Sequence, residues 1–264
     1  MRLEGKSALV TGASRGLGFA IAQCFAAQGA TVTMLARGAD ELAKAAAGIG
    51  ERAFALACDI GDPHAVRRVF RQIEARSGGL DILVNNAALA TPNPIADARD
   101  SDVQMEVAVN VLGPLYCSRE AIPLMRARGG GDIVNISSES VHSPYPHLGV
   151  YAATKSALET LSAVLRQELA DEHIRVTTYR SGNVRGTFSR SWSDEARTRA
   201  RTAARDAGFY NQSGAQIEPD IAAEAILNVV TLPREAQIDL IELRGVQPTS
   251  ETIAARMAAD PSRV

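Results

Sequence analysis

Short runs of apolar and β-branched residues recur along the chain at Ser7 to Val10, Thr31 to Ala36, Ala53 to Ala57, Ile82 to Asn85, Ile133 to Ile136, Val176 to Tyr179 and Ile238 to Leu243. Seven strands are predicted. The strands before the last are mostly continuous apolar runs, as expected where helices cover both sheet faces, and the segments between them suit crossover helices. The alternation predicts an α/β fold with a doubly wound, mostly parallel seven-stranded sheet. No internal repeat and no linker-like shift divides residues 1–264, so a single domain is expected. Two regions break the rhythm. Residues 184–214 are polar, Arg-rich and weakly patterned, and such an insertion at the carboxyl end of a strand is expected to form a substrate lid. The tail holds a plausible short helix at Ser250 to Ala259.

Composition narrows the function classes. Hydrophobic residues make up 46% of the 264 residues, enough to bury one extended core. With 28 Lys+Arg against 30 Asp+Glu the formal charge is -2, which leaves no global basic field to hold nucleic acid. Cys24, Cys58 and Cys117 are far apart and lack metal-site spacing, so they read as reduced thiols and no metal is expected. The opening MRLEG leads directly into the first strand, so no signal peptide is expected, and no apolar segment approaches the ~20 residues of a membrane span. A cytoplasmic protein with no membrane partner is expected.

Thr11-Gly12-Ala13-Ser14-Arg15-Gly16-Leu17-Gly18 follows the first strand and runs into the helical stretch Phe19 to Ala27. Glycines there allow a tight strand-to-helix turn and let the backbone approach a pyrophosphate, whose charge lies against the helix N-terminus. The spacing is GxxxGxG, and Asp59-Ile60 after the third strand and Asn85-Asn86-Ala87-Ala88 after the fourth fall in order behind it. From about Lys6 to Leu243 the chain resembles the short-chain dehydrogenase/reductase family, in particular its 3-oxoacyl-[acyl-carrier-protein] reductase-like branch. That resemblance implies a Rossmann fold and a nicotinamide dinucleotide held by Gly12, Ser14, Arg15, Gly16, Leu17, Gly18, Asp59, Ile60, Asn86 and Ala87. Asp59 would contact adenine.

Tyr151 and Lys155 are four residues apart in a helical segment and share one helix face, about 6 Å apart along the axis. A phenol needs a shift of ~3 units, or ~4 kcal/mol, to exchange protons near neutral pH. An ammonium at ~4 Å supplies a Coulomb energy of that order at an effective dielectric of 20. With Ser138 ending the fifth strand and Asn110 in the preceding crossover helix, these residues match the family's Asn, Ser, Tyr and Lys. The resemblance implies that Tyr151 donates or accepts the proton and Ser138 hydrogen-bonds the substrate oxygen. It also implies that Lys155 binds the nicotinamide ribose and tunes Tyr151, and that Asn110 holds a water in the relay. Ser137 is the competing assignment for Ser138. After the sixth strand, where the family carries Pro-Gly, this chain has Ser181-Gly182. Gly182, Val184 and Thr187 are expected beside the nicotinamide, with a looser hinge for want of the proline.

The second strand ends in Ala36-Arg37, with no carboxylate to accept the ribose hydroxyls of NAD. Arg37 and Arg15, with Ser14 as a neutral donor, suit the extra phosphate, so NADP(H) is preferred over NAD(H), with Asp40 the acidic neighbour that complicates the charge count. Glu139, His142 and the arginines of the lid read as solvated positions. Phe188, Trp192, Phe209 and Tyr210 read as a lid wall or as plain packing. The activity expected is hydride transfer to or from a carbonyl or secondary alcohol carbon of a small molecule, free or carrier-linked. A nicotinamide sensor without turnover is the alternative, against which the intact Ser138, Tyr151 and Lys155 argue. Apolar surplus at Val103 to Met125 and Tyr151 to Ala170, together with the resemblance, predicts a homo-oligomer, tetramer or dimer.

Overall fold

The seven apolar runs become β1 (Ser7–Thr11), β2 (Thr31–Ala36), β3 (Ala53–Ala57), β4 (Ile82–Asn85), β5 (Gly131–Ser138), β6 (Ile174–Ser181) and β7 (Leu240–Leu243). The computed structural model describes residues 1–207 and 216–246; the expected tail helix, Phe209 and Tyr210 lie outside the described residues. The strands form one sheet in the order β3-β2-β1-β4-β5-β6-β7. Every pairing is parallel. Chain order reverses between β1 and β4, and a crevice opens there at the carboxyl ends of the strands.

Helices cover both faces because the strands are apolar on both. One layer holds α1 (Gly16–Ala27), α2 (Ala39–Ile49) and α8 (Pro219–Val230); the other holds α3 (Pro63–Ser77), α5 (Gly113–Arg126) and α6 (Gly149–Glu168). Alternate residues of β1 serve the two layers: Ala8 and Val10 join Ile21, Phe25 and Ile226, while Leu9 joins Val66, Phe70 and Leu124. Local chemistry sets the helix ends. At α3, the Asp62 carboxylate accepts from the His64 N–H at 2.8 Å, Pro63 takes the first turn, and Gly78 closes the helix at φ +64.

The helical stretch around Val103 to Met125 is divided. It comprises α4 (Asp100–Val107), a π-helical turn at Ala108–Leu112, and α5. The reason is in the sequence: Pro114 has no N–H to give the carbonyl of Asn110 four residues back, so the α-helical ladder fails there. Asn110 sits at the break, fully buried. The lid residues form a 3₁₀ turn, Phe188–Ser191, and α7 (Asp194–Asp206), which the Ser193 hydroxyl caps by accepting from the Ala196 N–H. The hinge expected to be loose is held instead. β6 runs through Ser181, which pairs with Ser138 and Leu243, and the Gly182 N–H donates to the Leu243 carbonyl at 2.9 Å.

A buried amide ladder crosses the sheet just behind the crevice. Asn85 and Asn135 are register partners; the Asn85 Nδ2 donates to Asn135 Oδ1 and the Asn135 Nδ2 to the Ser162 hydroxyl, both at 2.8 Å. Asn85 Nδ2 also reaches the Ser118 hydroxyl at 3.3 Å and the Ser162 hydroxyl donates to the Leu158 carbonyl at 2.7 Å, so each link, with a net contribution of about 1 kcal/mol, is one strand of a wider buried network. Asn135→Ala is therefore expected to lower the free energy of unfolding by about 1–3 kcal/mol in denaturant titrations, since it removes two buried hydrogen bonds, although Asn85 keeps the Ser118 hydroxyl and Ser162 keeps the Leu158 carbonyl. A loss below about 1 kcal/mol would mean that water or a side-chain rotation replaces the ladder.

Candidate active site

A cleft of about 890 Å3 opens at the switch point and runs from the glycine turn to the lid. Its walls bring together every residue that the sequence assigns to cofactor binding or catalysis except Asn110. Gly12, Ser14, Arg15, Gly16, Leu17 and Gly18 line one end, with Arg37, Asp59, Ile60, Asn86 and Ala87 beside them. Ser138, Tyr151, Lys155, Gly182, Val184 and Thr187 line the other.

The turn is built for close approach. Gly16 has φ +57, a left-handed value that a side chain opposes. A Cβ on Gly18 would lie 2.3 Å from the Gly12 carbonyl oxygen, so only glycine lets α1 start against its own turn. No side chain caps the N-terminus of α1, and no acidic residue stands in its first turn. Its N–H groups and positive dipole end therefore face the cleft, which fits the pyrophosphate of a dinucleotide. Thr11, missing from the sequence-derived site, fixes this end: its hydroxyl oxygen accepts from the N–H groups of Asn86 and Ala87, each at 3.0 Å. The Asn86 amide donates to the carbonyls of Thr11 and Gly12, so it ties two turns together. The Asp59 carboxylate is turned back to the N–H of Gly61 at 2.9 Å.

The adenosine end holds a carboxylate that the sequence reading missed. Glu41, in the first turn of α2, accepts from Arg15 at 3.1 Å and from the Ser14 hydroxyl at 3.3 Å, and it ion-pairs with Arg190 at 3.6 Å. The charge count that favoured two cations considered Asp40 and passed over its neighbour. The burial of Leu42 and Ala46 was the available signal, since it fixes which face of α2 meets the core and leaves Glu41 toward the glycine turn. Arg37 is exposed on the rim.

At the other end, Tyr151 and Lys155 are buried, at 9% and 2% exposure. The Lys155 ammonium donates to the Ile136 carbonyl at 2.7 Å and lies 5.7 Å from the centre of the Tyr151 ring. Burial pushes the Tyr151 phenol up to about 12, against a hydrogen bond with Ser138 that lowers it, while the carboxylates of Glu106 and Glu139 raise it further. Burial also brings Lys155 down to about 8. The desolvation that opposes the ammonium's effect on Tyr151 is thus the larger of the two here, with the ammonium engaged by the Ile136 carbonyl. The serine ambiguity has a geometric answer. The Ser137 hydroxyl donates to Glu159 at 2.7 Å, a carboxylate also held by Arg180, whereas Ser138 faces Tyr151.

Asn110 stands behind the cleft wall. Its Oδ1 accepts from the Leu89 N–H at 3.0 Å, and its Nδ2 donates to the Leu89 carbonyl at 2.8 Å and to the Thr154 hydroxyl at 3.1 Å. Both amide hydrogens are engaged with protein, so the side chain has none left for a relay water. Glu139 is not solvated, as its position in a loop suggested. It is 8% exposed, lines the cleft and accepts from the Tyr145 hydroxyl at 3.2 Å. The arginines of the lid are mostly paired: Arg185 with Glu218, Arg190 with Glu41, Arg199 with Glu195 and Arg205 with Asp206. Phe188 and Trp192 line the cleft, with the Phe188 ring 5.1 Å from Tyr151 and 5.8 Å from Trp192.

The sequence profile of the short chain dehydrogenase family matches residues 6–197. The chain belongs to this family. A chicken (Gallus gallus) protein, dehydrogenase/reductase SDR family member 11, is 34% identical to this short-chain dehydrogenase over 260 residues, covering 94% of this chain and 99% of the relative. Among solved structures, a serine dehydrogenase complexed with NADP+ superposes with a TM-score of 0.82 at 30% identity, over 92% of this chain and 97% of its own. The 3-ketoacyl-(acyl-carrier-protein) reductase from Brucella melitensis complexed with NADH gives 0.81 at 29% identity, over 92% and 98%. Both the reductase-like resemblance and the single α/β domain with a parallel Rossmann-type sheet are thus shown. No helix among the described residues is long and apolar enough to cross a membrane.

In a short-chain dehydrogenase with this site, the free protein carries an ammonium at Lys155 below about pH 8 and loses it above, while Tyr151 stays protonated until about pH 12. kcat/KM for the reduced cofactor reports ionisations of the free protein. It is expected to be level below pH 7 and to fall as pH rises through about 8. A profile flat to pH 10 would separate the charge on Lys155 from cofactor capture.

Proposed function

We propose that the protein is an NADP(H)-dependent reductase or dehydrogenase that moves hydride between nicotinamide and a carbonyl or secondary alcohol carbon, with Tyr151 as the general acid or base. The observation that carries this reading is the meeting, in one cleft, of an uncapped helix N-terminus suited to pyrophosphate and a buried Tyr151 with Ser138 and Lys155 beside it. Nicotinamide, when bound, supplies or accepts the hydride. In reduction, the Tyr151 phenol gives its proton to the substrate oxygen, and the Ser138 hydroxyl holds that oxygen in place. Burial keeps the Tyr151 phenol protonated at neutral pH, so the proton is in place for ketone reduction, and the nearby positive charge of Lys155 is what would ease its transfer. For alcohol oxidation Tyr151 must first ionise, and the positive charges of Lys155 and of oxidised nicotinamide favour the phenolate. Lys155 also hydrogen-bonds the nicotinamide ribose, Gly182, Val184 and Thr187 flank the nicotinamide, and Asp59 and Ile60 border the adenine. Asn110 positions residues 89–91 after β4, a strap beside the cleft, and, through Thr154, the first turns of α6, and its main-chain carbonyl, lacking the Pro114 N–H, is the acceptor for a relay water.

Arg15 and Arg37 supply two cations to a 2′-phosphate, and Ala36 leaves no carboxylate at the end of β2 to hold the ribose hydroxyls of NAD. Glu41 competes for Arg15 and Ser14 and tempers the preference. The small-molecule substrate meets a wall of Phe188 and Trp192. The exposed Met105, Val107, Leu115 and Val164 on α4, α5 and α6 support a homo-oligomer, tetramer or dimer, assembled through these helices. Three unpaired cysteines suit the reducing cytoplasm as its location.

Tyr151→Phe is expected to cut kcat by at least about a thousandfold while NADPH affinity stays within a few-fold, because only the transferable proton is lost. The measurement is absorbance of the reduced ring with a panel of ketones, and a variant retaining most of the wild-type rate would remove Tyr151 from the chemistry. Cofactor choice is read from kcat/KM with NADPH and NADH. The native protein is expected to favour NADPH, Ala36→Asp to shift it toward NADH, and Glu41→Gln to widen the preference for NADPH. Equal use of NADH by the native protein would overturn the assignment.

A further inference from the structure

Three consecutive residues after β4 are each held by a different element. Both main-chain groups of Leu89 are held by the Asn110 amide. The Ala90 carbonyl accepts from the Trp192 indole N–H at 2.7 Å, and the Thr91 N–H donates to the Glu106 carboxylate at 2.7 Å. Asn110 and Glu106 are one helical turn apart and almost fully buried, so the strap has a rigid footing on its inner side. On the outer side its described holder is Trp192, at the end of the 3₁₀ turn that opens the lid. The Trp192 ring meets Phe188 edge-on, and Phe188 lies against the ring of Tyr151. The Trp192 carbonyl in turn accepts from Arg197 in α7 at 3.1 Å.

We propose that Trp192 is a positioning residue that determines substrate affinity: its indole N–H fastens the lid to the Ala90 carbonyl and so sets Phe188 over Tyr151 as the apolar wall of the carbonyl subsite. The ligand chemistry that fits is a ketone with a flat apolar or aromatic substituent, packed against Phe188 and Trp192 while its oxygen meets Ser138 and Tyr151. This deepens the proposed function and rests on it for the substrate, although the fastening itself does not need turnover. A phenylalanine at position 192 keeps an apolar ring beside Phe188 and removes the one donor, which separates the hydrogen bond from packing. The strap can also be loosened without touching the indole, because Glu106→Ala frees the Thr91 N–H while Glu106→Gln keeps an acceptor there.

Trp192 is the only tryptophan in the chain, so its fluorescence reports the fastening directly. In the ligand-free protein, Glu106→Ala is expected to raise the acrylamide quenching constant of Trp192 at least twofold and shift its emission to the red, with Glu106→Gln near the wild type. Trp192→Phe is expected to raise KM at least tenfold for an aryl ketone, with kcat within threefold and NADPH affinity within twofold. Quenching in Glu106→Ala equal to wild type would overturn the strap's part in holding Trp192. A KM unchanged in Trp192→Phe, whatever kcat does, would overturn its role in substrate affinity. Failure of the functional reading looks different: no variant and no wild-type protein would turn over any ketone, while the quenching series would still report the fastening.

Discussion

A parallel sheet delivers every strand-to-helix connection to the same edge, and here that constraint assembles the whole site. The loops after β1, β2, β3, β4, β5 and β6 all empty into one cleft, although their residues are spread from Gly12 to Thr187. The reversal of strand order between β1 and β4 opens the crevice, and the uncapped N-terminus of α1 gives it a positive end. Everything else refines this geometry. Thr11 and Asn86 tie the glycine turn to the turn after β4, and the amide ladder of Asn85 and Asn135 stiffens the sheet behind it.

Burial is the second organising force, and it acts on charge. Tyr151 and Lys155 are both removed from water, and each is driven toward its neutral form. In the proposed role the pair would hold a protonated phenol beside a weakly held ammonium, and its balance would depend on what charge enters the cleft. Glu106 and Glu139 push Tyr151 in the same direction as burial does. The aromatic pair of Phe188 and Trp192 packs beside Tyr151 and makes that part of the cleft wall apolar.

The strands were legible because fully buried parallel strands are continuous apolar runs, and each of the seven lies where its run is. The glycine turn and the Tyr151–Lys155 spacing were legible for a similar reason: short-range geometry fixes them. What escaped were relations between distant elements. Glu41 meets Arg15 only because α2 starts immediately after β2 and turns that face toward the glycine loop. The engagement of Asn110 with Leu89, the burial of Glu139 against Tyr145 and the fastening of Trp192 to Ala90 join residues between 6 and 102 positions apart. No periodicity announces such contacts. The π-helical break is the exception, since Pro114 four residues beyond Asn110 was a readable cause.

A crystal structure of the protein with NADPH tests the central claim most directly. The account predicts the pyrophosphate at the N-terminal N–H groups of α1, the 2′-phosphate at Arg15 and Arg37, and the nicotinamide ring beside Tyr151 and Thr187. A cofactor found outside this cleft, or with its pyrophosphate away from the glycine turn, would contradict it.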